Sequence, residues 1–343
     1  METGIIKDSL FMEHNMGPFH VENPERLEAI YTMLEKDFPF PFQEIKPRPA
    51  TEKEILMVHT ENHLRMIKNT KGKERVVLDP DTSTSPRSYE AALLAAGGVI
   101  VAADRIMTGE IKNGFALVRP PGHHAEAAMP MGFCLFNNAA IGAEYLIQKH
   151  GLSKVLIVDW DLHHGNGTQH LFYDRQDVLY FSTHQFPHYP GTGSWEETGH
   201  GDGEGFTVNI PLFSGKKDED FISIFHNILR PIGEEYQPEF ILVSAGFDIY
   251  EADPLGGMHI SEEGFGALTS ILMELAASVS HNRLLLTLEG GYHIEGQSRS
   301  VRQVLLHLSG HASPFHIETK KTVNLAQEVK PVYDIHKRYW KSL

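Results

Sequence analysis

The segment Lys154-Val-Leu-Ile-Val-Asp159-Trp-Asp161-Leu-His163-His164-Gly165-Asn166-Gly167 sets two carboxylates and an imidazole at the end of an apolar run. A strand without a polar face must be covered on both sides, which is the signature of a parallel sheet between helices. Water reaches such a strand at its ends. Residues two apart in extended chain point the same way, so Asp161 and His163 leave the strand together. They are placed to share one metal ion, and Gly165 and Gly167 let the chain turn sharply away.

The same pattern recurs along the chain. Apolar runs read as strands are Gly114–Arg119, Val155–Asp159, Val178–Ser182, Phe206–Leu212, Phe240–Ala245 and Leu284–Leu288. Helical periodicity is read over Pro24–Lys36 (with Asn23 as a cap), Pro86–Met107, Asn138–Lys149, Asp218–Tyr236, Ser261–Ser280 and Ile294–Leu308. Alternating strands and helices predict an α/β fold, a single domain with an open, mostly parallel sheet flanked by helices on both faces. The Pro-rich stretch Phe38–Pro49 and the Gly-rich stretch Tyr189–Gly205 read as surface loops. The whole chain, 1–343, reads as one domain, with its core at about 1–310 and a helical tail at about 313–343.

Composition narrows the function. Thirty Lys and Arg against 45 Asp and Glu give a net charge of −15, which disfavours direct nucleic-acid binding. An acidic field draws cationic substrates such as basic peptides or polyamines, although acidity also serves solubility. The one cysteine, Cys134, excludes a disulfide framework and a cysteine-based zinc site within the chain; it reads as a buried core thiol. No signal peptide is read at the N-terminus. The apolar stretch Ala91–Ala103 is too short to span a bilayer, so no membrane contact is expected, and the expected location is the cytoplasm.

Ligands of open α/β sheets bind beyond the carboxyl ends of the strands, and the reactive residues converge there. Separate runs lead into Pro120-Pro-Gly-His123-His124, Asp161-Leu-His163, Gly-Phe-Asp248 and Glu289-Gly-Gly-Tyr292. Asp161, His163 and Asp248 form a three-ligand set with room for water, as in catalytic zinc sites. One His of the tandem pair would move a proton between water and a leaving amine. Tyr292 would donate to a developing oxyanion, and Asp159 would orient a His from behind. Amide hydrolysis is the natural reaction of such parts. His164 reads as structural, and His184, His188 and His200 as surface or rim residues.

Several motifs carry a resemblance. They are Arg119-Pro-Pro-Gly-His123-His124-Ala, Gly132-Phe133-Cys134-Leu-Phe-Asn137-Asn138, Asp159-Trp-Asp161-Leu-His163-His164-Gly-Asn166, Asp253-Pro-Leu255-Gly and Glu289-Gly-Gly-Tyr292. Together with Gly17-Pro-Phe-His20-Val-Glu-Asn-Pro24-Glu25-Arg26, they resemble the histone deacetylase and acetylpolyamine amidohydrolase superfamily, with the arginase-deacetylase fold. The likeness runs to about residue 310. Asn166 and Asp-Pro-Leu-Gly resemble the class II branch and its bacterial or archaeal relatives.

The resemblance implies Zn²⁺ at Asp161, His163 and Asp248, although Asp-His-Asp ligation admits Fe²⁺ equally. It implies His124 as general base and acid, His123 as its electrostatic partner oriented by Asp159, Asn166 orienting the second His, and Tyr292 at the transition state. It implies an acyl-lysine tunnel walled by Gly132 and Phe133, with Tyr189 opposite, Leu255 at the gatekeeper position and Asp81 at the rim. It also implies a structural K⁺ at Asp159, Ser182 and the carbonyls of Asp161, His163 and Thr183, and a buried Arg26 behind the site.

The implied substrates are acetyl-lysine in proteins or peptides, or else acetylated polyamines. Other readings are a binuclear-manganese ureohydrolase, for which His164-Gly-Asn166 lacks the extra carboxylates, and a non-catalytic acyl-lysine binder. The oligomeric state is not legible.

Overall fold

A computed structural model describes residues 2–312 and 328–343. The strands are β1 (Thr3–Ile6), β2 (Gln43–Ile45), β3 (Val76–Val77), β4 (Ser83–Thr84), β5 (Asn113–Ala116), β6 (Val155–Asp159), β7 (Val178–Gln185), β8 (Thr207–Leu212), β9 (Phe240–Ala245) and β10 (Leu284–Leu288). Eight of them form one sheet in the order β2-β1-β5-β10-β9-β6-β7-β8, with every pairing parallel. β3 and β4 make a separate antiparallel pair. Every residue of β6, β8, β9 and β10 is buried, as apolar strands covered on both faces must be.

Helices cover the sheet on both faces. Ser88–Met107 packs beside Asn138–His150, while Glu262–Val279 and Glu25–Lys36 both pack against Ile294–Leu308. The register aligns the carboxyl ends: Asp159 lies opposite Ser182 of β7 and Ser244 of β9, and Leu288 lies opposite Ala245. The four loops that carry the reactive residues therefore leave the middle of the sheet along one edge.

Departures from the expected elements have local causes. β5 ends at Ala116 rather than Arg119, although Leu117 N still donates to Ile6 O at 3.0 Å, and Pro120 and Pro121 beyond it have no N–H for a ladder. β7 runs on to Gln185, paired with β8 as far as Leu212. The stretch expected to be a Pro-rich surface loop contributes β2, an edge strand. β1 was also not anticipated; a strand of four residues containing Gly4 is selected by its neighbours rather than by its own propensity.

The expected helix Asp218–Tyr236 carries a π-helical turn at Phe225–Leu229, directly ahead of Pro231, which cannot close an α-helical hydrogen bond. Helix Glu25–Lys36 begins after Pro24, and Asn23 bonds the Glu25 amide from outside it. Of the expected helical tail, residues 313–327 lie outside the described residues. Lys330–His336 is helical, and Trp340 beyond it is buried against Phe206 and Tyr236. Among the described residues, no helix is long and apolar enough to cross a membrane.

Candidate active site

Asp161, His163 and Asp248 converge with one ligand atom each within 4.8 Å of the others, and all three are buried. His163 Nδ1 lies 3.1 Å from Asp161 Oδ1 and 3.0 Å from Asp248 Oδ2. The remaining carboxylate oxygens are held by main chain. Gly290 N donates to Asp161 Oδ2 at 2.8 Å, and Leu162 N donates to Asp248 Oδ1 at 2.8 Å.

Backbone can come this close because residue 290 has no side chain. A Cβ there would stand 2.4 Å from Asp248 Oδ2 and 2.7 Å from Asp161 Oδ2. Two fully buried carboxylates beside one imidazole require a cation. The donor set, its burial and the cleared space fit a divalent ion such as zinc.

The tandem histidines sit in two different settings. His123 Nδ1 lies 3.1 Å from Asp159 Oδ2, and its Nε2 lies 3.8 Å from Asp161 Oδ1. Burial opposes charge on His123, but Asp161 and Asp159 outweigh it and raise its pKa to about 10. His124 Nδ1 lies 2.8 Å from Asn166 Oδ1, an uncharged acceptor. Burial, then the neighbouring His123 and His163, hold the His124 pKa well below the ordinary value. The surroundings thus favour charge on one ring and disfavour it on the other.

Tyr292 is buried, with Arg26 stacked 5.0 Å from its ring centroid. Burial raises its hydroxyl pKa well above the usual value, so it remains a hydrogen-bond donor. Phe133 meets Tyr292 edge-on at 5.9 Å. Tyr189, on the exposed side, has its ring 5.1 Å from His124 and 6.1 Å from His163. Gly132 has φ +55°, and a Cβ there would lie 2.3 Å from His124 Cδ2. Asp81 accepts from Thr82 Oγ1 at 2.9 Å, and that hydroxyl accepts from Phe133 N at 3.0 Å, which ties the Asp81 loop to Phe133. Leu255 is half-buried, and its amide is held by Asp253 Oδ1 at 2.9 Å.

Some supporting residues escaped the sequence reading. Glu289 Oε2 accepts from Gly122 N at 2.6 Å and His123 N at 3.2 Å, while Oε1 accepts from Ser244 Oγ at 3.0 Å, so this carboxylate pins the tandem-His loop. Asp253 Oδ2 accepts from Tyr292 N at 2.6 Å and His293 N at 3.1 Å. Arg26, which was expected behind the site, donates to the carbonyls of Gly291 and Glu289, each at 2.6 Å, and pairs with Glu22, which also binds Arg119. The available signal was a carboxylate at the end of a wholly apolar strand, which demands buried partners.

His184 departs from the rim position expected of it. It is fully buried between Ser182 Oγ at 2.9 Å and the Gly193 carbonyl at 2.8 Å, because β7 extends past Ser182 and carries it into the core. His188 lies beside the site, 5.2 Å from the His163 ring, and His200 is exposed. His164 is buried between Thr192 Oγ1 and Gln169 Oε1. Cys134 is buried, with Sγ 3.3 Å from the Gly132 carbonyl, and burial pushes its pKa well up. Asp159 Oδ1 accepts from Asp161 N at 3.1 Å, and Ser182 and Thr183 follow along β7.

Comparison with known proteins bears on this geometry. Residues 20–308 match the histone deacetylase domain. A probable deacetylase of Archaeoglobus fulgidus is 36% identical, over 99% of both chains. A polyamine deacetylase of Homo sapiens is 39% identical over 86% of this chain and 45% of its own length. The chain spans 42% to 59% of the fungal, plant and human relatives it matches. The crystal structure of the HDA15 HD domain superposes with a TM-score of 0.93 at 39% identity, covering 100% of this chain and 98% of that one. A parallel sheet with an Asp-His-Asp metal triad at its carboxyl edge, matched over most of its length to this domain, means that the chain belongs to the histone deacetylase family of metal-dependent hydrolases.

Proposed function

We propose that the chain removes the acetyl group from N-acetyl-lysine side chains of proteins or peptides. The observation that carries this reading is the convergence of the Asp161–His163–Asp248 triad with His123 on Asp159, His124 on Asn166 and the buried Tyr292 at one edge. Zn²⁺, or Fe²⁺ as the alternative, held by those three ligands would polarise the acyl carbonyl and acidify water. His124 takes the water proton at Nε2 and returns it to the departing lysine amine. His123, charged and oriented by Asp159, offsets negative charge as it develops. Tyr292 donates its hydroxyl to the carbonyl oxygen as that oxygen gains charge. Gly132, Phe133 and Tyr189 line the approach, Leu255 stands at the gatekeeper position, and Asp81 marks the rim.

The reading extends to one deacetylase domain over residues 1–343, with a class II-like character supported by Asn166 and Asp253-Pro-Leu255-Gly. A bacterial or archaeal type is supported by the identity to the archaeal relative across both chains. A structural K⁺ at Asp159, Ser182 and the carbonyls of Asp161, His163 and Thr183 is supported by the register that sets Asp159 opposite Ser182. A cytoplasmic site of action is supported by the single, buried, unpaired thiol.

The test is release of aminomethylcoumarin from an acetyl-lysine substrate by the zinc-loaded protein. Tyr292→Phe and His124→Ala are expected to lower kcat by about 10²–10⁴. Wild type without turnover, carrying one metal per chain, would sink the acetyl-lysine reading. A second reading, acetylpolyamine hydrolysis by the same groups, is favoured by the likeness to the human polyamine deacetylase and by the net charge of −15. Turnover of acetylspermidine beside an acetyl-lysine peptide separates the two. The acetyl-lysine reading expects the peptide to be faster, and a large polyamine preference would reverse it.

A further inference from the structure

Behind His124 the structure holds a chain of polar groups that ends in a carboxylate with no part in the mechanism above. Asn166 Oδ1 meets His124 Nδ1, and Asn166 Nδ2 donates to Glu126 Oε1. His170 Nδ1 lies 2.8 Å from that same oxygen. The Glu126 main chain is fixed independently of its side chain, through Met129 O at 2.9 Å and His59 Nδ1 at 3.0 Å. The second Asn166 N–H is directed at Met131 Sδ, at 3.4 Å.

We propose that Glu126 is a positioning residue that fixes the tautomer of His124 through the side-chain amide of Asn166. The inference rests on the reading of His124 as the proton carrier. An ionised carboxylate can only accept hydrogen bonds, so Glu126 admits only the NH₂ end of Asn166. The amide oxygen is then turned to His124 Nδ1, and that nitrogen must carry the proton. The lone pair is left on Nε2, the atom that faces the chemistry. An Asn alone is two-faced: flipped, it would present NH₂ to His124 and select the opposite tautomer, whose Nε2 cannot accept a proton. An Asp in place of Asn166 would need no such support, because both of its oxygens accept. Glu126 supplies from one residue further away the directionality that the neutral amide lacks.

Two measurements on zinc-loaded protein test this. In ¹⁵N-histidine NMR, with the His124 signals assigned by their loss in His124→Gln, wild type is expected to show the Nδ1–H tautomer. Glu126→Gln, whose amide can face Asn166 by either end, is expected to show a mixture. In acetyl-lysine turnover, Glu126→Gln is expected to lower kcat about tenfold, with KM within about twofold. The same substitution placed in an Asn166→Asp background is expected to leave kcat unchanged or to raise it, since it then separates two carboxylates.

A merely structural role for Glu126 would cost the same in both backgrounds and would leave the tautomer alone. An unchanged His124 tautomer in Glu126→Gln, or equal kcat losses in the two backgrounds, would overturn the proposal. If wild type turned over no acetyl-lysine, the functional reading would fail while the NMR comparison still decided this one.

Discussion

At the scale of single residues, the site depends as much on what is missing as on what is present. Gly290 is the sharpest case, because its amide grips Asp161 while the absence of a side chain leaves the ligand oxygens their space. Gly290→Ala would force Asp161 and Asp248 off their positions. It is expected to lower metal affinity by about tenfold or more, read by elemental analysis after dialysis against a graded chelator. Full metal retention would show that the ligand oxygens are not fixed by this contact. The residues that converge at the site were legible as residue types at strand ends. Their supporters were less so: nothing in the order Glu289-Gly-Gly-Tyr292 says that Glu289 reaches back to the amides of Gly122 and His123. Such a contact joins positions more than 160 residues apart, and it exists only once β5 and β10 are neighbours.

At the scale of elements, the longer apolar strands were legible in the sequence, the edge strand β8 among them, while β1 and β2 were not. β6, β9 and β10 are apolar throughout and are buried on both faces, so hydrophobicity alone marks them. β2 is an edge strand and β1 lies next to it, and with three and four residues they are too short to carry such a mark. Short helices at Glu52–Ile55 and Glu61–Lys68 also passed unread, although Thr51 and Thr60 cap them.

The end of the chain offers a test at this scale. Trp340 is buried, donates from Nε1 to the Gly205 carbonyl at 3.1 Å, and packs edge-on against Phe206 and Tyr236. Trp340→Ala is expected to destabilise the fold by about 3–5 kcal/mol, seen as a lower urea midpoint. A loss confined to proteolysis of the last residues, with the midpoint intact, would show that this element docks without contributing to the global transition.

At the scale of the whole molecule, buried neutral histidines make the fold acid-sensitive. Burial lowers the pKa of His14, His184 and His336 to about 4 and that of His59 to about 3. Below pH 6.5 the unfolded chain takes up protons that the folded chain refuses, so stability falls as pH falls. The stabilisation is fully present above pH 6.5 and is lost progressively down to about pH 4, at up to about 1.4 kcal/mol per pH unit for each group. Urea midpoints between pH 7 and pH 4.5 are expected to drop with net proton uptake on unfolding. A flat profile would mean that these rings hold their protons in the folded state.

The sequence by itself determined the class of fold and the location of the chemistry. Runs without a polar face form strands buried on both faces of a parallel sheet, and the carboxylates and imidazoles at their ends gather at one edge. Tertiary structure alone decided which histidine is pushed toward charge and which is pushed away from it. His123 and His124 are adjacent and chemically identical in the chain. They differ because folding sets the carboxylates of Asp161 and Asp159 against His123, while burial and the neighbouring His123 and His163 rings disfavour charge on His124. In a buried site, charge is set by burial and by the surrounding charges, and both are chosen by packing.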